Sequence, residues 1–150
     1  MYQTLAYYVT LLRKDFANYC NEKLAAEGLS QGQLYFILYI GRHANCSPKE
    51  LTQALHMDAG HTTRTLAKLA QDGFLVQEKS KADARAHTLS LTDKGEAAFR
   101  MSHELFAQWD EQALCPLAPE EQTTLITLLS KLVSMEEGMP CVGKKAVHSD

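Results

Sequence analysis

A mainly α-helical fold with one small β-hairpin is what the sequence predicts, and three observations predict it. Apolar residues recur at three- and four-residue spacings over most of the 150 positions, the period of a helix face. The period changes to two only after Gly73, where Phe74, Val76 and Glu78 alternate with Leu75, Gln77 and Lys79, and again at His87, Leu89 and Leu91. Composition supports an ordinary core, with 45% of residues hydrophobic and 22% charged, so wholesale disorder is excluded. A chain of this length is expected to form one cooperative unit, not two independent enzyme domains.

Each element has its own local signal. The first helix is carried by Leu5, Tyr8, Val9, Leu12, Phe16, Tyr19 and Leu24 and ends near Gly28. Ser30 caps a second helix, in which Leu34, Tyr35, Phe36, Ile37, Leu38 and Tyr39 leave almost no polar face before Gly41 stops it. A helix with so little polar surface is buried in the middle of something. Ser47-Pro48-Lys49-Glu50 is a capping box with proline at the first helical position and opens a short helix to about His56. Asp58 caps the next helix, which runs through Leu66 and Leu69 to Gly73. Two short helices joined by a tight turn form a helix-turn-helix candidate.

The hairpin follows, with Ser80-Lys81-Ala82-Asp83-Ala84-Arg85 as its exposed tip. Thr92 caps a long helix through Phe99, Leu105 and Trp109 to about Cys115-Pro116. Pro119-Glu120-Glu121 opens the last helix with its acids where the helix dipole favours them, and Leu125, Leu128, Leu129, Leu132 and Met135 mark its inner face. From Gly138 to Asp150 the composition is that of a flexible tail.

The net charge of −3 argues against a generically basic nucleic-acid coat or a polybasic membrane binder. Resolved along the chain, it divides. From Ser47 to Leu91 six basic residues face five acidic ones, a net +1, which leaves −4 for the rest. At about 100° per residue the fourth helix separates Ala59, Thr62, Leu66, Leu69 and Ala70 from Gly60, His61, Arg64, Lys68 and Gln71. The second side carries donors, two permanent cations and no acid.

That is the chemistry a recognition helix needs when its N-terminal residues meet base edges in the major groove. Gly60 gives clearance, and Arg64 suits guanine O6 and N7 or a phosphate. His61, Thr62 and Thr63 offer shorter donors or a methyl contact to thymine. Lys68, a turn further on, is placed for a phosphate. At the hairpin tip, Lys81 and Arg85 are placed to straddle a backbone and put an arginine into the adjacent minor groove. Asp83 would repel phosphate, so its expected task is to accept hydrogen bonds from an arginine and hold the loop. The plain alternative is a solvated face, with Asp83 and Arg85 an ordinary surface pair worth ~0–1 kcal/mol.

Ser47-Pro48-Lys49-Glu50-Leu51, Thr63-Arg64-Thr65-Leu66, Asp72-Gly73-Phe74, Asp83-Ala84-Arg85 and Leu89-Ser90-Leu91-Thr92-Asp93-Lys94-Gly95 stand here in one order and spacing. In these motifs the chain resembles the MarR family of bacterial winged helix-turn-helix regulators. The resemblance implies a homodimer: residues 1–29 and 92–137 would form a shared helical dimerisation region, with Phe106, Trp109 and Leu132 available to the interface. Residues 30–91 would form a winged helix-turn-helix domain set on half of a pseudo-palindromic operator in double-stranded DNA. It implies a repressor released by a small phenolic or apolar effector, an oxidant or a metal. Where the family usually has two arginines after the wing aspartate, the first is Ala84 here, which redirects or weakens the wing contact.

For an organic effector, Tyr8, Leu12, Tyr35, Phe36, Tyr39 and His43 offer an apolar crevice with polar tips, against the alternative that they are core. Cysteines at 20, 46, 115 and 141 are too scattered for a disulfide scaffold and are expected to be reduced thiols. Cys46, near a helix N-terminus where a thiol pKa is lowered, is the redox candidate against a passive thiol. Relatives that sense peroxide carry their cysteine where this chain has Ala6. Relatives that sense zinc place ligands where it has Gly32 and Gln33, and His43, His56, His103 and Glu104 lack ligand spacing. No metal or cofactor is therefore expected.

No apolar run approaches a membrane span and no signal peptide is apparent, so a cytoplasmic protein is expected. Neither a phosphate loop nor a nucleophile elbow supports an enzyme. The remaining alternatives are a redox- or metal-responsive regulator of the same fold, or a winged-helix protein-interaction module that does not bind DNA.

Overall fold

The computed structural model of the chain describes residues 3–83, 85–136 and 139–141. Its elements are α1 (Leu5–Leu24), a 3₁₀ turn (Ala25–Glu27), α2 (Gln31–Arg42), α3 (Pro48–Ala54), α4 (Ala59–Gln71), β1 (Leu75–Lys79), β2 (His87–Leu91), α5 (Asp93–Leu114), α6 (Pro119–Leu132), β3 (Ser134–Glu136) and β4 (Met139–Cys141). They fall into two compact units that divide after Asp110.

The first unit is built around α2. Ser30 and Gln33 cap it reciprocally, and its Leu34, Phe36, Ile37, Leu38 and Ile40 are all buried because α1, α3, α4 and β2 each pack against it. Cys20 and Leu24 of α1, Leu51 of α3, Leu66 and Leu69 of α4, Leu89 of β2 and Ala98 and Leu105 of α5 complete one continuous core. The helix does not stop at Gly41. It continues to Arg42 and is capped at His43, and Gly41 is a packing position, where a Cβ would overlap the ring of Phe99.

β1 and β2 pair antiparallel with Leu75 opposite Leu91, Gln77 opposite Leu89 and Lys79 opposite His87. Of β1 only Leu75 is buried, and Val76 to Lys79 project into solvent. The Leu89 N–H donates to the Cys46 carbonyl at 2.8 Å, which ties the middle of β2 to the residue before the Ser47 cap of α3.

A compact junction joins α4, the hairpin and α5. Thr92 N–H donates to the Phe74 carbonyl at 3.1 Å, while the Thr92 hydroxyl donates to the Gly73 carbonyl and accepts from Gly95 N–H. Gly73 turns the chain with φ +84°, a conformation glycine adopts without steric cost.

Phe106 and Trp109 were expected at an interface between chains. Within the chain they are half-buried against Phe16, at ring-centroid distances of 5.3 and 4.9 Å, and the Trp109 indole N–H donates to Asp15 at 3.1 Å. A lone aromatic pair at helical spacing fits either role, and here α1 claims it first.

In the second unit α6 opens with Glu121 accepting from Ala118 N–H at 2.9 Å and ends at Leu132. Met135, expected on its inner face, belongs to β3. Leu125, Leu128 and Leu132 are 36%, 53% and 67% exposed among the described residues. The segment expected to be a tail from Gly138 contains β4, which pairs antiparallel with β3; positions 142–150 lie outside the described residues.

At Gly95 a Cβ would run into the Phe74 backbone carbonyl and press on the Leu91 side chain. Backbone cannot step aside as a ring can. Gly95→Ala is therefore expected to cost ~1–3 kcal/mol of overpacking strain and more than Gly41→Ala, as read from urea unfolding midpoints.

Candidate nucleic-acid interface

The placement of α4 is set by caps. Ser47 Oγ accepts from Glu50 N–H at 3.1 Å, and Glu50 returns the bond to Ser47 N–H at 2.6 Å, which fixes α3. After α3 the chain turns through His56 with φ +50°. Asp58 then accepts from Gly60 N–H at 2.9 Å and from His61 N–H at 3.0 Å. These bonds, that of His61 first, hold the Asp58 carboxyl below the usual carboxylate range, and the nearby Arg64 adds to the effect.

Thr62, Leu66 and Leu69 of α4 are buried, and His61, Thr63, Arg64 and Lys68 are exposed. Thr62 is thereby removed from the expected readers. It is 2% exposed and its hydroxyl donates to the Asp58 carbonyl at 3.1 Å, so it packs and cannot reach a base. Thr63 donates to the Ala59 carbonyl at 2.9 Å, which leaves a methyl and a lone pair for contacts. The His61 ring stands edge-on to Phe36 at 6.2 Å. Lys68 is paired with Asp72 at 3.2 Å, an exposed ion pair of ~0–1 kcal/mol that a phosphate can replace. Gly60 lies between two charged groups: a Cβ there would be 3.2 Å from an Asp58 carboxylate oxygen and 3.3 Å from Arg64 Nη1.

At the hairpin tip Asp83 does hold the loop, through a backbone group and not a guanidinium. Its carboxylate accepts from Arg85 N–H at 3.0 Å, and its carbonyl accepts from Ala86 N–H at 3.0 Å. The Arg85 and Lys81 side chains are exposed. Ala84 lies outside the described residues. Lys94 adds a contact that sequence reading missed: its ammonium donates to the Asp72 carbonyl at 2.8 Å and lies 4.3 Å from the Phe74 ring centre. The motif Leu91-Thr92-Asp93-Lys94-Gly95 carried the signal, but its physical role depends on the tertiary turn.

Among the effector candidates, Tyr39 and His43 stack at 4.3 Å, and Tyr35 accepts from the Gln31 amide at 3.4 Å with its phenol pKa raised by burial. Phe36 is fully buried and is core. Tyr8 and Leu12 are about half exposed on α1, at 48% and 50%. Burial counts against Cys46 as the redox candidate. The residue is 6% exposed, and burial, then the Glu50 carboxylate, push its pKa up to about 11; proximity to a helix N-terminus does not compensate for desolvation. No three His, Cys, Asp or Glu side chains among the described residues converge as a metal site.

Two short helices, the second presenting an exposed cationic face, followed by a two-stranded hairpin that packs back on the first, define a winged helix-turn-helix protein. The MarR family sequence profile matches residues 27–86. The HTH-type transcriptional regulator BilQ of Clostridium symbiosum is 44% identical over 144 residues, spanning 96% of this chain and 100% of that one. The reduced form of MarR from E. coli superposes with a TM-score of 0.83 at 26% identity, over 89% of this chain and 99% of that one. A mutant MarR from E. coli complexed with operator DNA gives 0.74 at 26% identity, over 87% and 94%. The chain belongs to the MarR family and is a DNA-binding transcriptional regulator, not an enzyme. Among the described residues no helix is long and apolar enough to cross a membrane.

The thiol environments give a direct check. Thiolate is the reactive species, so near neutral pH iodoacetamide should label the exposed Cys115 while buried Cys20 and Cys46, with pKa values near 11, stay unmodified until the chain is unfolded. Mass spectrometry of the labelled peptides reads this out, and early labelling of Cys46 would restore it as a redox candidate.

Proposed function

We propose that the protein is a homodimeric repressor that acts in the cytoplasm, each subunit reading half of a pseudo-palindromic operator. The observation that carries this is the exposed face of α4, where Gly60, His61, Thr63, Arg64 and Lys68 share one side and the acids nearest to them are already engaged by local donors. In this reading Arg64 contacts a base edge and Lys68 a phosphate, while Lys81 and Arg85, on a tip held by Asp83, meet the neighbouring backbone or minor groove. Residues 30–91 form the reading domain, and residues 1–29 with 92–137 the dimerisation region.

Uncovered apolar surface supports dimerisation. Leu5, Tyr8, Val9 and Leu12 are 48–59% exposed along α1, and α6 exposes Leu125, Leu128 and Leu132. Burying such surface is worth ~25 cal/mol per Å², and apolar faces of this extent mark association sites.

The DNA reading is tested on a duplex enriched by the protein from a randomised pool, compared with a scrambled duplex at two salt concentrations. Arg64→Ala should cost ~1–3 kcal/mol on the selected duplex, and Arg85→Ala should weaken both duplexes alike with a salt slope smaller by about 1. Two chains should bind per duplex by sedimentation. Selective binding that ignores both substitutions would sink the assignment of these residues, and absence of any DNA binding would favour a protein-interaction module.

The effector we assign to the Tyr35, Tyr39 and His43 side of α2, with Tyr8 and Leu12 of α1, is a small aromatic acid. The stacked Tyr39 and His43 rings and the Tyr35 hydroxyl supply an apolar wall with polar tips. In a thermal-shift screen of aromatic carboxylates, a binder present at a hundred times its Kd should stabilise the fold by ~2.7 kcal/mol and lower operator affinity. Tyr39→Ala should remove both effects; no compound doing both would remove the pocket.

A further inference from the structure

The carboxylate of Asp58, the gap at Gly60 and the guanidinium of Arg64 stand together on the exposed first turns of α4. We infer that Asp58 is a specificity-determining positioning residue: it holds the Arg64 guanidinium over Gly60, aimed at a base edge and away from the phosphates. This rests on Arg64 being a DNA contact, as proposed above.

Asp58 is itself fixed, because both its carboxylate oxygens accept backbone N–H groups, of Gly60 and His61. A methyl group on Gly60 would sit 3.2 Å from one of those oxygens and 3.3 Å from Arg64 Nη1, so the two charged groups flank the space that glycine leaves empty. Arg64 folds back toward the helix N-terminus, the direction long side chains take on a helix. The other cation of this face, Lys68, is paired with Asp72 instead. Lys68 thus closes an ion pair with an acid at one end of the helix, while Arg64 lies near Asp58 across the Gly60 gap, without a direct ion pair, at the end that would enter the groove.

The reason for a carboxylate beside DNA lies in discrimination. A negative charge there weakens binding to every duplex, since phosphates repel it. An untethered arginine pairs with the nearest phosphate regardless of sequence. An arginine that gives up an attraction to Asp58 when it swings to a phosphate gains less from doing so. A guanidinium engaging guanine O6 and N7 uses two of its five donors from a place over Gly60, beside the carboxylate, whereas one that swings out to a phosphate leaves the carboxylate behind, so position and not donor number makes the base contact compatible with Asp58 and the phosphate contact not.

The test uses full-length protein, the duplex it enriches from a randomised pool and a scrambled duplex, with Asp58→Asn, Arg64→Ala, the double variant and Gly60→Ala. Asparagine caps helices as well as aspartate, so Asp58→Asn removes the charge and keeps the helix. It should lower the selected-to-scrambled affinity ratio about tenfold, as for one base contact, mainly by tightening on scrambled DNA, with a salt slope steeper there by about 1. Gly60→Ala should lower the same ratio. In the Arg64→Ala background Asp58→Asn should leave the ratio unmoved. An unchanged ratio in Asp58→Asn, or an equal drop with Arg64 absent, overturns the inference. Weaker binding to both duplexes with a lowered Tm would show a merely structural cap and overturns it too. If Arg64→Ala itself leaves the ratio unchanged, the base contact falls and this inference falls with it.

Discussion

The first 110 residues depend on one constraint, that α2 has almost no polar face and has to be enclosed. Phe36 and Ile37 are wholly buried and Leu34 and Ile40 nearly so, each worth roughly 1.5–3 kcal/mol relative to exposure. Burying Leu34, Phe36, Ile37, Leu38 and Ile40 needs partners on several sides, and α1, α3, α4 and β2 provide them, leaving the Tyr35 and Tyr39 side half-buried. The position of α4 follows. Its Leu66 and Leu69 face this core, which leaves the opposite side, with His61, Arg64 and Lys68, turned outward. The reading surface is the remainder of a packing problem.

Electrostatics on that surface is governed by where its acids are spent. Between Ser47 and Leu91 four of the five acids are engaged locally: Glu50 by Ser47 N–H, Asp58 by Gly60 and His61 N–H, Asp72 by Lys68 and Asp83 by Arg85 N–H. Three of these bind backbone donors that folding would otherwise leave without a partner, so the acids stabilise turns and caps while their charge is partly compensated. A segment of only +1 formal charge thus places four of its five acids in caps, a turn and an ion pair while Arg64, Lys81 and Arg85 stay exposed, and the −4 carried elsewhere does not contradict DNA binding.

Much of this was legible because it is local. Ser30, Ser47, Asp58 and Thr92 act as the caps their spacing announces, and the change of period after Gly73 marks the hairpin. What escaped depends on contacts remote in sequence. Gly41 reads as a helix stop, yet it exists to admit Phe99 from α5. Thr62 shares a helix turn with the readers and still faces inward, because hydroxyl residues are tolerated in a core when the preceding turn satisfies them, as the Asp58 carbonyl does. Cys46 has the sequence position of an activated thiol and the surroundings of a core residue. In each case the residue type permits two roles and only burial chooses between them.

The junction where α4 ends shows how the reading helix is coupled to the rest of its unit. Asp72, Gly73 and Phe74 offer three successive carbonyls, and the start of α5 takes all of them: Lys94 bonds that of Asp72, the Thr92 hydroxyl that of Gly73 and the Thr92 N–H that of Phe74. Lys94 also covers the Phe74 ring, and Gly95 approaches so closely that no side chain fits. Each bond is worth only ~0.5–1.5 kcal/mol net, but together they join the two helices directly, independently of the hairpin tip that lies between them in sequence. The start of α5 is thereby tied directly to the C-terminal end of α4, while the other end of α4 is capped by Asp58. The orientation of α4, and with it of the face that carries Arg64, is thus set from both ends, by its own N-cap and by the first residues of α5.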